Sequence, residues 1–268
     1  MTYEQLEELI ELIYQVHQFD LKGYSRASLK RRMVRIMNLY HLDFVSLKLH
    51  LTNEPAFFPV FITEITVNVT EMFRDPGFYL GLKEKVLPYL ATFPRIKLWS
   101  AGCSTGEEVY SLAILLHELG LYHRSFIYGT DLNVKAIETA KKGIYSLRKM
   151  KEYSENFQRV SPSSSLSEHY TAMYNAATIQ QHLRTNNLFS VHNLVSDGVF
   201  NEFHLISCRN VLIYFNEQLQ IKVLELLYNS LAQFGFLCLG SKEILRNVEL
   251  KSKFTLIDIH HNIYQKID

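Results

Sequence analysis

From Ile96 onward the chain alternates short apolar runs with helix-period segments, and this alternation is what most constrains its fold. Ile96–Ser100 reads as a strand, Glu107–Leu119 as a helix and Phe126–Gly129 as a strand ending in Thr130-Asp131. Asn133–Lys142 reads as the next helix. Further strands are expected at Leu188–His192, His204–Ser207 and Gly235–Leu239, with a helix over Gln218–Phe234. Strands separated by helices predict a parallel α/β sheet with right-handed crossovers. The stretch 146–187 breaks the rhythm. It carries Pro162-Ser163-Ser164-Ser165 and then an alternating pattern around Tyr170–Tyr174, which predicts an inserted hairpin or small subdomain.

The first sixty residues have a different character. Leu6, Ile10, Ile13 and Val16 form one apolar stripe at spacings of three and four. A second helix is expected over 25–40, with Leu29, Met33, Ile36 and Met37 apolar and the basic residues mostly between them. A third, around Phe44, Leu47 and Leu51, stops near Asn53–Pro55. With 268 residues, 47% hydrophobic, the chain can fill a sizeable core, which excludes disorder. The net charge of +1 predicts no nucleic-acid partner, but it hides a segregation. Glu4, Glu7, Glu8, Glu11 and Asp20 lie in the first twenty residues without a base. Lys22, Arg26, Lys30, Arg31, Arg32 and Arg35 lie in the next twenty without an acid. Three dispersed cysteines offer neither a disulfide framework nor a zinc ribbon. The acidic N-terminus has no signal-peptide pattern, and no apolar run is long enough to cross a bilayer; the expected location is the cytoplasm.

Trp99-Ser100-Ala101-Gly102-Cys103-Ser104-Thr105-Gly106-Glu107-Glu108 follows a strand and opens a helix. Glycine there lets the backbone approach a ligand, and the helix start offers unpaired N–H groups. The spacing G-x-x-x-G without a following Lys-Ser/Thr is neither a P-loop nor a dinucleotide fingerprint. Two consecutive acids would repel a phosphate and suit a ligand presenting hydroxyls and an ammonium group. Asp131 ends the next strand, where doubly wound sheets place an acid on ribose hydroxyls. Taken singly, each acid fits a helix start equally well, Glu107 and Glu108 through the macrodipole and Asp131 as a cap. Together they read as an S-adenosylmethionine site in a class I methyltransferase-like sheet.

Four blocks in order then carry a specific resemblance. Trp99–Ser111 closely resembles the cofactor loop of the CheR-type chemotaxis receptor glutamate methyltransferases. Asn68-Val-Thr-Glu-Met-Phe-Arg74 resembles that family's N-x-T-x-F-x-R motif, and His192-Asn193-Leu194 resembles its His-Asn-Leu segment. Cys208-Arg209-Asn210-Val211-Leu212-Ile213-Tyr214-Phe215 resembles its C-R-N-V-x-I-Y-F block. The resemblance covers nearly the whole chain. It implies a class I S-adenosylmethionine-dependent methyltransferase fold, doubly wound and mostly parallel. A small all-helical N-terminal domain is expected over 1–62, a linker contributing to the active site over 63–75, and the methyltransferase domain over 76–268 with an inserted hairpin subdomain at about 146–187.

The implied activity is methyl transfer from S-adenosylmethionine to glutamate side chains of a chemoreceptor or related sensory protein, leaving S-adenosylhomocysteine. A glutamate with an ordinary pKa of about 4.3 is ionised at neutral pH, so this chemistry requires no base and no metal; it requires orientation and desolvation. The resemblance places Asn68, Thr70, Arg74, Gly102, Glu108, Asp131, Asn193, Leu194, Arg209 and Asn210 at the cofactor. Arg74 and Tyr214 are the expected catalytic residues, Arg74 because a guanidinium grips a carboxylate bidentately. The basic residues Lys22, Arg26, Lys30, Arg31, Arg32 and Arg35 would dock on acidic receptor helices, or else pair with the acidic helix before them. A monomer is expected.

Three departures stand out: Val109 where proline is common, His204 where an acid is common, and Lys242 after the last strand. The insertion also lacks the Gly-x-Gly turn that some relatives use for a receptor's C-terminal peptide, so tether-independent action is expected. Two alternatives stay open. One is a non-catalytic cofactor-binding regulatory module. The other is a nucleic-acid methyltransferase, which the absence of an [Asn/Asp]-Pro-Pro-aromatic turn at 210–214 disfavours.

Overall fold

The computed structural model describes residues 1–66 and 68–267. The chain divides into two compact units: Met1–Val67 with Leu212–Lys222, and Asn68–Val211 with Val223–Asp268.

The first unit is helical: α1 (Tyr3–His17), α2 (Arg26–Leu39), α3 (Phe44–Asn53) and α4 (Phe57–Ile65). Thr2 and Gln5 form a reciprocal capping box on α1, and the Asp43 side chain caps α3 through the Ser46 N–H. The core is Leu6, Leu9, Ile10, Ile13, Leu29, Met33, Ile36, Leu47, Leu51 and Phe61. Val16, expected inward, is 42% exposed. Leu9 joins Leu6, Ile10 and Ile13 in the buried stripe instead, and Val16 lies in the last turn of the helix. The aromatic-rich helix α4, which the sequence reading missed, supplies Phe61 and Ile65. The turn Leu212–Tyr214 and the start of a later helix belong to this unit. The Tyr214 carbonyl accepts from the Ser25 N–H at 2.8 Å, Tyr24 bridges Phe215, and Leu219 fills the space beside Gly23.

In the second unit, α5 (Pro76–Gly81), a π-helical turn over Leu82–Val86 and α6 (Leu87–Leu90) precede β1 (Ile96–Ala101). Next come α7 (Glu107–Glu118), β2 (Ser125–Asp131), α8 (Val134–Lys142), β3 (Ile144–Ser146), α9 (Leu147–Val160), β4 (Tyr170–Met173), β5 (Ala176–Ile179), β6 (Asn187–Val191) and β7 (Phe203–Cys208). The chain ends with α10 (Glu217–Asn229), β8 (Leu231–Leu239), α11 (Val248–Ser252), β9 (Phe254–Asp258) and β10 (Ile263–Lys266).

Among the described residues the main sheet has the order β6-β2-β1-β7-β8-β10-β9. β10 runs antiparallel to both its neighbours, and the other pairings are parallel. This is the class I S-adenosylmethionine methyltransferase fold. β1 and β7 are buried along nearly their whole length, as central strands covered on both faces must be. The insertion builds a separate antiparallel sheet, β3-β5-β4, and the sheet starts earlier than expected, at Ile144.

The helix expected to run to Phe234 ends at Asn229. The Ser230 hydroxyl and N–H both bond back to the Leu226 carbonyl, and Leu231 then pairs with Phe203 in the sheet. Leu224, Leu227 and Leu231 keep a helical spacing across that break, which is why the sequence alone overran it. Among the described residues no helix is long and apolar enough to cross a membrane.

Candidate active site

The sheet winds from β1 outward to β2 and β6, then returns to the other side of β1 for β7 and β8. The carboxyl ends of β1 and β7 therefore flank the switch point, where open α/β sheets bind ligands. The glycine turn leaves β1 there. Gly102 (φ +80°) and Cys103 both donate their N–H to the Thr130 carbonyl at 2.8 Å, which holds the turn against β2. Ser104 is left-handed at φ 50° and donates its N–H to Asp131 Oδ2 at 2.8 Å. Gly106 (φ +91°) caps α7. A Cβ on Gly102 would lie 2.4 Å from Val211 Cγ2, so only glycine lets the β1 and β7 turns meet.

Asp131 also accepts from the Asn133 N–H at 2.9 Å. Burial raises its pKa, while these N–H bonds favour the charged form. It is not the cap of α8; Asn133 is, through the Ala136 N–H. Asp131 thus keeps its carboxylate at the strand end beside the glycine turn.

The two acids of the helix start have different fates. Glu107 is fully buried, accepting from Thr105 Oγ1 at 2.6 Å and from Tyr153 at 3.3 Å, and burial pushes its pKa up. Tyr145 donates to the Thr105 carbonyl at 2.8 Å. Two tyrosines of the segment around the small sheet thereby grip the cofactor loop. Glu108 instead faces the switch point, accepting from Ser100 Oγ at 2.8 Å and from Arg209 at 3.3 Å.

Arg209 is the hub of this side. Its side chain is 3% exposed, donates to Asp75 at 2.6 Å and to the Arg74 carbonyl at 3.4 Å, and lies 4.0 Å over the Phe78 ring. Arg74, the expected catalytic guanidinium, donates to the Val69 carbonyl of its own linker at 3.1 Å. The linker is fastened to α7 by the Phe73 N–H on Ser111 Oγ at 2.8 Å, and Phe73 and Asp75 both take left-handed backbone. Asn68 and Thr70 lie half-buried in the same linker.

Of the remaining cofactor candidates, Leu194 is buried and Asn193 uses its side-chain oxygen to hold the Val195 N–H at 2.9 Å. His192, just before them, packs edge-on against Trp99. Asn210 is left-handed at φ 61°, its N–H held by Glu243 at 2.8 Å. Tyr214 lies in the turn that belongs to the helical unit.

In that unit most of the basic segment is already partnered. Arg26 grips Glu7, Lys22 pairs with Glu11 at 3.0 Å, Lys30 lies over Tyr3, and Arg35 is 3.8 Å from Glu64. Arg31 is exposed and Arg32 half-buried.

These residues suit S-adenosylmethionine. Ser104 Oγ is buried in the loop with no hydrogen-bond partner among the described residues, and the Asp131 and Glu108 carboxylates beside it are acceptors of the kind that hydroxyls and an ammonium need. Residues 68–263 match the family model described as CheR methyltransferase, SAM binding domain, and residues 4–66 match CheR methyltransferase, all-alpha domain. The chain belongs to the CheR methyltransferase family.

Among relatives, Cher3 of Pseudomonas putida is 43% identical over 98% of this chain and 96% of its own length. A chemotaxis protein methyltransferase of Listeria monocytogenes is 34% identical, with 85% of each chain covered. A 104.1 kDa protein of Rhodobacter capsulatus is 30% identical over 98% of this chain, which spans 28% of that protein.

Sequence reasoning missed Asp75 and Glu243. Asp75 directly precedes Pro76 at a helix start, a signal for an acid with a structural job. Glu243 sits beside the conspicuous Lys242, and nothing in its spacing marks it.

Proposed function

We propose that the protein transfers methyl groups from S-adenosylmethionine to glutamate carboxylates of a chemoreceptor or related signalling protein. The observation that carries this reading is the switch-point turn, where Gly102, Ser104 and Asp131 adjoin the Glu108–Arg209 pair. When bound, S-adenosylmethionine supplies a methyl group on a positively charged sulfur. Asp131 would hold ribose hydroxyls, and Glu108 and Ser104 other polar groups. Leu194 would give the adenine an apolar contact, and Asn193 a hydrogen bond. Asn68, Thr70 and Arg74 would complete the cofactor site from the linker, with Arg209 and Asn210 opposite.

Because the acceptor carboxylate is already ionised, the chain has no proton to move. Its work is to orient and desolvate that carboxylate, which we assign within the sheet unit to Arg74. Arg31 and Arg32 are the best candidates within the basic segment for docking on an acidic helix, since neither has an acidic partner among the described residues. The hairpin turn Tyr174-Asn175 has no glycine, so it lacks the Gly-x-Gly turn, which supports action without a peptide tether.

The test is methyl transfer from labelled cofactor to receptor cytoplasmic fragments. Base-labile methyl esters are expected. Cofactor binding without ester formation across a panel of receptors would favour a regulatory module instead.

A further inference from the structure

The β7 turn grips three different elements with three consecutive residues. Arg209 reaches Glu108 on α7, Asn210 is held through its N–H, and Val211 lies against Gly102. The partner of Asn210 is Glu243, beyond the end of β8. Its side chain is buried in a residue that is 4% exposed, and Oε2 accepts from the Asn210 N–H at 2.8 Å and from the Gly240 N–H at 2.7 Å. Gly240 is fixed in turn by Asn262, whose side chain donates to its carbonyl at 2.9 Å.

A left-handed asparagine is a backbone state that relaxes unless its surroundings hold it. A buried side-chain oxygen shared by two backbone N–H groups is such a hold, because moving it away leaves two buried donors unsatisfied. The geometry points to Glu243 as a positioning residue that locks the Cys208–Val211 turn in the form that presents Arg209 and Asn210 to the cofactor. The inference rests on the methyltransferase reading for what the turn presents; the lock itself does not.

Gly240 allows the same contact to be broken from the other side. A Cβ there would lie 2.5 Å from Glu243 Oε2 and 2.8 Å from the Asn210 nitrogen, and its backbone is not left-handed. Gly240→Ala therefore wedges the carboxylate off the turn while leaving Glu243 in the sequence.

The experiment measures calorimetric affinity for S-adenosylhomocysteine and hydrogen exchange of the peptide spanning 205–212, using the full chain. Glu243→Ala and Gly240→Ala are both expected to weaken affinity at least tenfold and to speed exchange at Asn210. Glu243→Gln, which keeps one oxygen able to accept both N–H groups, recovers most of the affinity. Lys242→Ala, next door and exposed, gives the exchange of the wild type. If Glu243→Ala does not fold, Gly240→Ala carries the test. Affinity within twofold of wild type in a folded Glu243→Ala or Gly240→Ala overturns the inference, as does Glu243→Gln failing as badly as alanine. A wild type that binds no S-adenosylhomocysteine would sink the methyltransferase reading. Exchange then decides the lock alone, and unchanged protection at Asn210 refutes it.

Discussion

Replacing Arg209 by methionine removes the charge that joins Glu108 to Asp75 while keeping an apolar stem on Phe78. Breaking a buried ion pair by deleting one partner costs about 3–5 kcal/mol. Arg209 is 3% exposed and Glu108 15%, so their bond belongs near the bottom of that range. Asp75 is 46% exposed, and its pairing is screened to under about 1 kcal/mol. Losing the cation from the Phe78 face adds about 1 kcal/mol, which methionine packing offsets in part.

The expected destabilisation is about 4 kcal/mol for Arg209→Met, with about 3 kcal/mol of it coupled to Glu108. A double-mutant cycle with Glu108→Gln isolates that coupling. Urea unfolding followed by the fluorescence of Trp99 is the assay. Trp99 is the only tryptophan and is fully buried in β1, so it reports on the sheet unit. A coupling energy below about 0.5 kcal/mol, or one that vanishes in high salt, would show that the pair is an exposed contact and not a structural hub.

Gly102→Ala should lower stability by about 1–2 kcal/mol from its left-handed backbone alone. Its contact with Val211 adds to that, and calorimetry should show S-adenosylhomocysteine affinity falling more than tenfold. Burial raises the pKa of Glu107 above its ordinary 4.5, so its proton stabilises the fold fully below that pH and the contribution is lost as pH rises through the folded value. Glu107→Gln should therefore gain stability relative to wild type between pH 4 and pH 7 in urea titrations; a relative loss over that interval would contradict the burial argument. Arg31→Glu with Arg32→Glu should slow methylation of receptor fragments roughly tenfold at low salt, with the gap closing as salt rises. Arg26→Glu should act on stability instead, because it opposes Glu7.

The strand–helix alternation from Ile96 to Leu239 was legible because the strands are short apolar runs closed by turn residues, while α8 and α10 carry their apolar residues at helical spacing; α7, apolar nearly all round, was legible from its length. The glycine turn was legible because left-handed backbone restricts residue choice. Two kinds of information were not. Periodicity cannot show where a helix yields to a strand when leucine spacing persists, as at Ser230. Motif spacing also cannot say which of two nearby guanidiniums turns inward. Arg74 and Arg209 are equally basic in the sequence, and only packing against Phe78 and the left-handed turn at Asp75 put Arg209 on the acids. The charge segregation is real, and part of it is internal to the helical unit. Folding α1 against α2 and α3 brings Glu7, Glu8 and Glu11 onto Arg26, Lys48 and Lys22, and among the described residues Lys30, Arg31 and Arg32 have no acidic partner.

The loan of Leu212–Lys222 to the helical unit limits how this chain can be recombined during evolution. The two family segments meet between residues 66 and 68, yet Phe215 and Leu219 pack with residues from the first forty. A gene fusion that carries only the second segment would take an apolar flap with it and leave behind the surface that covers it. Shuffling in this family should therefore move both segments together, and the Rhodobacter capsulatus protein fits that expectation, matching 98% of this chain within a much larger one.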